Sequence, residues 1–254
     1  MNAAKLLSLF LGMLLCLSLF VGCATPDNTD ETTPPPAADT SAPEDTVALD
    51  AYGRETRWIP NGISRPVRVQ PDEIHKAFGL EGQDYILFLG RLVPEKGLRY
   101  LIEAFKQVDT TKKLVIAGGS SDTDSFLQEI HAMAEGDDRI LFTGFVQGRL
   151  LEELYSNAYL YVLPSDLEGM PLSLLEAMSY GNCCLVSDIP ECADVVEDKA
   201  FVFCKSDISA LREKLQYACM RESEVAAMKE QAAEFICGKY NWDDVVSATL
   251  ALYQ

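Results

Sequence analysis

The chain has 254 residues, of which 48% are hydrophobic and 24% are charged, an ordinary composition for a globular protein. This length allows one sizeable hydrophobic core and is tight for two full α/β domains. The formal net charge is −18 at pH 7, from 21 basic and 39 acidic side chains. Such an acidic chain argues against nucleic acid as a partner, because phosphate backbones require clustered Lys and Arg.

Residues 1–23 predict an export signal. Lys5 supplies a short positive start, and residues 6–21 carry no charge and are mostly apolar. This run is short for a membrane-spanning helix and typical of a signal h-region. The run ends at Gly22-Cys23, which resembles the bacterial lipobox, in which the cysteine is lipidated. We therefore expect an exported chain held at the membrane by a lipid on Cys23. A plain signal peptide or an uncleaved anchor is the alternative, and the chain is cytoplasmic if the signal does not function.

Residues 24–52 are acidic and rich in Pro and Thr, with Pro34-Pro35-Pro36 near the centre. This composition predicts an extended, solvated tether. The six cysteines beyond the signal follow no metal-site spacing. Cys183 and Cys184 fall inside an apolar run and are predicted to be buried free thiols, which are common in cytosolic proteins and conflict with export.

Residues 53–84 lead into the domain through a turn signal at Asn61-Gly62 and a short predicted helix over Glu73–Phe78. Residues 85–254 then alternate between apolar runs and helical spacing. The predicted strands are 85–90, 113–117, 139–142, 159–163, 183–187 and 201–204. This alternation predicts an α/β fold with a single doubly wound, Rossmann-like parallel sheet and closing C-terminal helices. In such sheets ligands bind at the carboxyl ends of the strands.

The loop after the first of these strands places two cations, Arg91 and Lys96, before a helix. It lacks the G-x-G-x-x-G spacing of dinucleotide sites, which argues against NAD. Two cations at the positive end of a helix favour a dianion such as pyrophosphate. The alternative is that both are ordinary surface charges.

The loop after the fourth strand leads into a helix predicted over residues 171–180, and it carries Glu168 and Glu176 in an E-x7-E spacing. We expect Glu168 to point into the crevice and Gly169 to let a ligand approach the backbone closely. Free N–H groups of the following turn can bind phosphate oxygens, and Glu176 can reach sugar hydroxyls. The alternative is a capping acid and a solvated helix acid.

These loops in this order resemble the donor-binding, C-terminal domain of retaining GT-B-type glycosyltransferases of the group 1, family 4 type. Sucrose synthase and the mannosyltransferases of cell-envelope synthesis typify the family. The matching segments are GRLVPEKG, AGG, FTGFV and EGMPLSLLEAMSYGN, with IPNGI before them and YNWDDVVSATLALY as a closing helix. The resemblance covers residues 55–253.

The resemblance implies that the domain binds a nucleoside diphosphate sugar. Arg91 and Lys96 would hold the diphosphate and stabilise the leaving nucleotide, and Glu168 would contact the transferred sugar, as the catalytic residues. The implied substrate-binding residues are Gly118, Gly119, Phe145 and Val146 for the base, the backbone of Gly169, Met170, Pro171 and Leu172 for phosphate and sugar, and Glu176 for the ribose. Relatives often read EGFG where this chain reads EGMP, which puts the geometry at the sugar end in question.

No metal and no cofactor are expected. The D-x-D at Asp122-Thr123-Asp124 comes before a helix, where capping is the expected role. We expect replacement of Arg91 or Lys96 to change stability little.

In the resembling family an acceptor-binding half precedes the IPNGI segment, and here a signal and a tether take its place. The first hypothesis is a donor-binding half that needs an acceptor-domain partner chain for transfer. The second is a lipid-anchored, non-catalytic binding or vestigial domain. Since the closing helix crosses to the acceptor half in the family, its apolar stripe over residues 242–253 is expected to be partly exposed.

Overall fold

The computed structural model describes residues 48–49, 55–119 and 124–253, which belong to the unit Ala42–Gln254. The predicted signal, its Cys23 and most of the predicted tether lie outside the described residues. Asp122 and Thr123 also lie outside the described residues, and so does the helix cap predicted for this segment.

A six-stranded, all-parallel sheet forms the centre of the domain and confirms the predicted fold class. A two-residue antiparallel ladder of β1 (Ala48–Leu49) and β2 (Glu55–Thr56) precedes it. The strands are β3 (Tyr85–Leu89), β4 (Lys113–Ala117), β5 (Ile140–Gly144), β6 (Leu160–Leu163), β7 (Cys184–Ser187) and β8 (Phe201–Phe203). Their order is β5-β4-β3-β6-β7-β8, so the direction of winding reverses between β3 and β6. The crevice at such a reversal is where open α/β sheets bind ligands.

Nine α-helices lie within the described residues. They are α1 (Glu73–Phe78), α2 (Leu98–Lys106), α3 (Asp124–Ala134), α4 (Arg149–Asn157), α5 (Leu172–Ser179), α6 (Pro190–Val196), α7 (Ile208–Met220), α8 (Glu222–Lys239) and α9 (Trp242–Leu250). Helix α6 was not predicted from the sequence, because seven residues are too few to establish helical spacing. Helix α5 ends shortly before Gly181, as predicted, and the amides of Gly181 and Asn182 turn back to the carbonyls of Met178 and Ala177.

The core lies on both faces of the central strands. Every residue of β6 and β7, and all but Leu89 of β3, is buried, which explains their uninterrupted apolar sequences. Full burial of one such side chain stabilises the fold by about 1.5–3 kcal/mol. Cys183 and Cys184 are buried free thiols, as predicted, and burial raises the pKa of Cys183 to about 12.

The segment leading into the domain is held against α4 by a buried acid. Glu153 Oε2 accepts the amides of Asp72 at 2.8 Å and Ile74 at 3.0 Å, at the start of α1. Burial by itself would raise the pKa of Glu153, but these two amides and the guanidinium of Arg149 outweigh it and lower the pKa. The carboxylate therefore fixes the position from which α1 begins.

The last helix returns to the same segment. The Ile63 amide donates to the Tyr240 carbonyl at 2.7 Å, and the Trp242 ring packs against Gly62, where an added Cβ would lie 2.6 Å from the indole. Trp242, Val246 and Leu250 remain half exposed, as expected for this stripe. None of the helices in the described ranges is both long enough and apolar enough to span a bilayer.

Candidate functional site

Two loops meet at the winding reversal of the sheet, one after β3 and one after β6. Gly97 adopts a left-handed φ of +69°, and an added Cβ would lie 2.0 Å from the Pro164 carbonyl oxygen. A glycine is therefore required for this approach. The Asp166 amide also donates to the Glu95 carbonyl at 2.8 Å, so backbone contacts set the distance between the two loops.

Lys96 and Glu168 form an ion pair across this junction. Lys96 Nζ lies 2.5 Å from Glu168 Oε1, and the two side chains are only 13% and 6% exposed. The buried Ser165 hydroxyl donates to the same oxygen at 2.6 Å. The other oxygen, Glu168 Oε2, accepts no hydrogen bond from the described part of the chain, yet it is not fully buried. Oε1 is thus occupied by protein, and Oε2 is left for a ligand.

A second acid supports the loop that carries Glu168. Asp166 accepts the Tyr100 hydroxyl at 3.0 Å and the Ser206 hydroxyl at 2.7 Å, and the Ser187 hydroxyl donates to the Ser165 carbonyl at 2.5 Å. This network was not predicted from the sequence. The available signal was the polar Ser165-Asp166 pair directly after a buried strand.

Arg91, in the loop after β3, lines an open cavity of about 360 Å³. It is exposed, and its guanidinium pairs with no acid within the described ranges. The cavity is lined by Leu89, Gly90, Arg91, Gly118, Gly119, Phe145 and Val146. All four residues predicted to contact the base are therefore brought together beside Arg91. Gly118, at φ +146°, permits this approach, because an added Cβ would lie 1.8 Å from the Gly90 carbonyl oxygen.

Glu176 lines a different cavity, of about 440 Å³. Its Oε2 accepts the hydroxyl of Tyr155 at 2.9 Å. The walls of this cavity are Asn61, Gly62, Ile63, Ser64, Pro66, Leu151, Tyr155, Leu172, Glu176, Ser179, Tyr180 and Trp242. The predicted ribose acid and the predicted base residues therefore line separate cavities. Sequence reasoning placed neither Tyr155 nor Trp242 at the site.

The turn between the two glutamates offers backbone donors. The amides of Gly169, Met170 and Ser173 donate to no acceptor in the described chain. The Leu172 amide is already used, since it donates to the Met170 carbonyl at 2.9 Å, and Pro171 has no amide hydrogen. These three free amides, in the turn before α5 and in its first turn, can hold phosphate oxygens, because the helix dipole favours negative charge there.

Among the residues that the structure describes, no group of three or more His, Cys, Asp and Glu side chains is placed to hold a metal ion. Binding without a metal stays a prediction.

The topology of the sheet is that of an α/β domain of GT-B glycosyltransferase structures. Sucrose-phosphate synthase from Thermosynechococcus elongatus superposes with a TM-score of 0.69 at 22% identity, covering 80% of this chain and 53% of that one. HepE from Anabaena, solved with UDP and glucose, gives a TM-score of 0.65 at 17% identity, covering 70% and 51%.

The sequence comparisons give the family. The sequence model for glycosyl transferases group 1 matches residues 70–235. An uncharacterised glycosyltransferase from Methanocaldococcus jannaschii is 31% identical over 223 residues, which are 84% of this chain and 55% of that protein. The chain belongs to the group 1 glycosyltransferase family. It spans about half the length of the curated relatives it matches.

Proposed function

We propose that this domain binds a nucleoside diphosphate sugar, the donor for a retaining glycosyl transfer, at the carboxyl edge of its sheet. The observation that carries the proposal is the Lys96–Glu168 pair at the winding reversal, beside the free amides of α5. An ammonium, free amides and the nearby Arg91 suit a diphosphate, and the open oxygen of Glu168 suits a sugar hydroxyl.

In this proposal Arg91, Lys96 and the amides of Gly169, Met170 and Ser173 bind the diphosphate. When the bond between the anomeric carbon and the phosphate oxygen breaks, its electron pair stays on that oxygen, and the two cations stabilise the charge. An acceptor hydroxyl then bonds to the anomeric carbon, and its proton passes to the departing phosphate oxygen. Support for a uridine nucleotide comes from HepE, whose structures contain UDP, UDP with glucose, or UDP-glucose.

The test is calorimetric titration of the full chain with UDP-, GDP- and ADP-sugars in the presence of EDTA. We expect saturable binding of at least one of these sugars, because Arg91, Lys96 and the free backbone amides supply the diphosphate contacts. As a control, Lys106→Ala should bind as the parent does, because it changes an exposed lysine on α2 that lines neither cavity. Binding that disappears with EDTA and returns with Mn²⁺ would reject the metal-free site.

We propose further that efficient transfer needs an acceptor-binding partner chain. Holding donor and acceptor in one reactive geometry can supply about 7–11 kcal/mol of barrier lowering, and the described residues position only a donor. Incubation of the full chain with a radiolabelled donor and mixed lipid or glycan acceptors measures this. Slow donor hydrolysis is compatible with the proposal, whereas turnover in the usual enzyme range of about 1–1000 per second is not.

A lipid on Cys23 is the proposed means of membrane attachment, with export to the cell envelope. The support is Lys5, the uncharged run 6–21 and the Gly22-Cys23 pair. Cys23→Ser should move the chain from the membrane fraction to the soluble fraction. A Cys23→Ser chain that still sediments with membranes would point to a plain anchor.

A further inference from the structure

Tyr155, on α4, holds one oxygen of Glu176. The side chain is buried, and its hydroxyl donates to Glu176 Oε2 at 2.9 Å. The Ser173 carbonyl, at 3.3 Å, is the weaker alternative acceptor. Burial raises the pKa of Tyr155 well above its ordinary value, so the hydroxyl keeps its proton at working pH. It therefore remains a donor to the carboxylate.

The position of this hydroxyl is fixed relative to α5, the helix that carries Glu176. The Tyr155 ring stacks on the ring of Tyr180, with centroids 5.3 Å apart and planes 17° apart. The Asn182 side-chain nitrogen Nδ2 donates to the Tyr155 carbonyl at 2.8 Å and to the Ala177 carbonyl at 3.0 Å. Ring and backbone of Tyr155 are thus both tied to α5 and to the residues just after it.

The contact leaves the other oxygen of Glu176 available. Glu176 Oε1 accepts no hydrogen bond from the described residues, and the side chain lines the 440 Å³ cavity. A free carboxylate rotates about its terminal torsion, whereas one held at Oε2 presents Oε1 in one direction. Glu168 shows the same arrangement, because Ser165 and Lys96 hold only its Oε1.

We propose that Tyr155 is a positioning residue, whose hydroxyl orients Glu176 towards the ribose hydroxyls of the donor nucleotide. The inference rests on the proposed function, since it needs a nucleotide with its ribose in the cavity of Glu176. Tyr155 also lines this cavity, and its hydroxyl acts on the ribose through the Glu176 carboxylate, to which it donates.

The test measures how strongly the chain prefers a nucleotide with ribose over the same nucleotide without the 2′ and 3′ hydroxyls. The full chain is titrated with UDP, GDP and their 2′,3′-dideoxy counterparts, as the parent and as Tyr155→Phe. We expect the parent to prefer the ribonucleotide, and Tyr155→Phe to reduce this preference by about three- to tenfold, the range of one net hydrogen bond. The matched control is Tyr159→Phe, which removes another buried hydroxyl, one that donates to the Ala218 carbonyl at 2.7 Å.

A structural role would lower the melting temperatures of both variants and leave the preference unchanged. An unchanged preference in Tyr155→Phe, with a lowered melting temperature, overturns the inference. The proposed function still stands in that case if the parent binds UDP or GDP. If the parent binds neither nucleotide and none of the UDP-, GDP- and ADP-sugars, the proposed function fails and the inference falls with it.

Glu176→Gln provides a second measurement that does not depend on the stability of Tyr155→Phe. The preference should fall at least as far in Glu176→Gln as in Tyr155→Phe, and adding Tyr155→Phe to it should reduce the preference no further. If Glu176→Gln keeps the parent's preference for the ribonucleotide, or if the double variant loses more of it than Glu176→Gln, Tyr155 does not act through the carboxylate.

Discussion

Two lysines lie largely buried, one at each edge of the sheet, and their surroundings differ. Lys96, at the carboxyl edge, contacts the carboxylate of Glu168 at 2.5 Å. Lys229, at the opposite edge, donates to the Ala158 carbonyl at 2.7 Å and to the side-chain oxygen of Gln83. Burial, followed by the charges of Arg68 and Lys112, lowers the pKa of Lys229 to about 8.

The difference indicates that the Lys96 ammonium serves ligand binding, whereas the Lys229 ammonium serves packing. At the carboxyl edge a buried cation and a buried anion compensate each other, and a phosphate can compete for the cation. At the opposite edge the ammonium donates to two neutral oxygens, with the cations Arg68 and Lys112 close enough to act on it, which suits a fixed structural contact. The two edges should therefore respond differently to mutation, pH and ligand.

The largest effect is expected for Lys96→Ala. Removal of the ammonium leaves the Glu168 carboxylate buried without a counter-charge, which costs about 3–5 kcal/mol in the free energy of unfolding. This revises the expectation that replacing Lys96 changes stability little, because the sequence did not show that the pair is buried. Urea denaturation measures the loss, with Lys106→Ala as the exposed control. The double variant Lys96→Ala/Glu168→Ala should lose less than Lys96→Ala, and a larger loss would mean that the two charges do not compensate each other.

Arg91→Ala should separate binding from stability. Arg91 is exposed and unpaired within the described chain, so the free energy of unfolding should stay within about 0.5 kcal/mol of the parent. Diphosphate binding should weaken by about 1.5–3 kcal/mol, the scale of a hydrogen bond to a charged group. Arg212→Ala, on α7, is the control, since it removes a partly exposed guanidinium that contacts Glu213 at 3.5 Å and lines neither cavity. If Arg91→Ala binds UDP and GDP as the parent does, Arg91 has no phosphate contact.

The sequence was sufficient for the sheet, because six apolar runs separated by helical spacing leave few other topologies. It also selected the loops that meet at the reversal. The pairing of Lys96 with Glu168 was not visible, since it depends on how closely Gly97 approaches Pro164. The separation of Glu176 from the cavity of Gly118 was equally hidden, because spacing along a helix does not show which neighbouring helix covers it.

The smallest effect concerns Lys229. Its folded pKa of about 8 lies below the unfolded value of about 10.4, so between these values the unfolded chain binds more protons and stability rises with pH. The unfolding free energy should gain up to about 1 kcal/mol between pH 8 and 9 from this group. Lys229→Met should lack this gain, so the difference between the pH profiles of the parent and the variant should show it. Parallel profiles would show that Lys229 titrates normally.

Hydrogen exchange with and without UDP or GDP tests the central claim, that the carboxyl edge of the sheet binds the nucleotide. The amides of Gly169, Met170 and Ser173 donate to no protein acceptor in the described chain, so a bound diphosphate should slow their exchange. Amides at the opposite edge, around Gln83 and Lys229, should exchange as before. Protection at residues 169–173 that is absent around residues 83 and 229 is the predicted result. Saturating nucleotide that protects the opposite edge, or leaves residues 169–173 unprotected, would contradict the account.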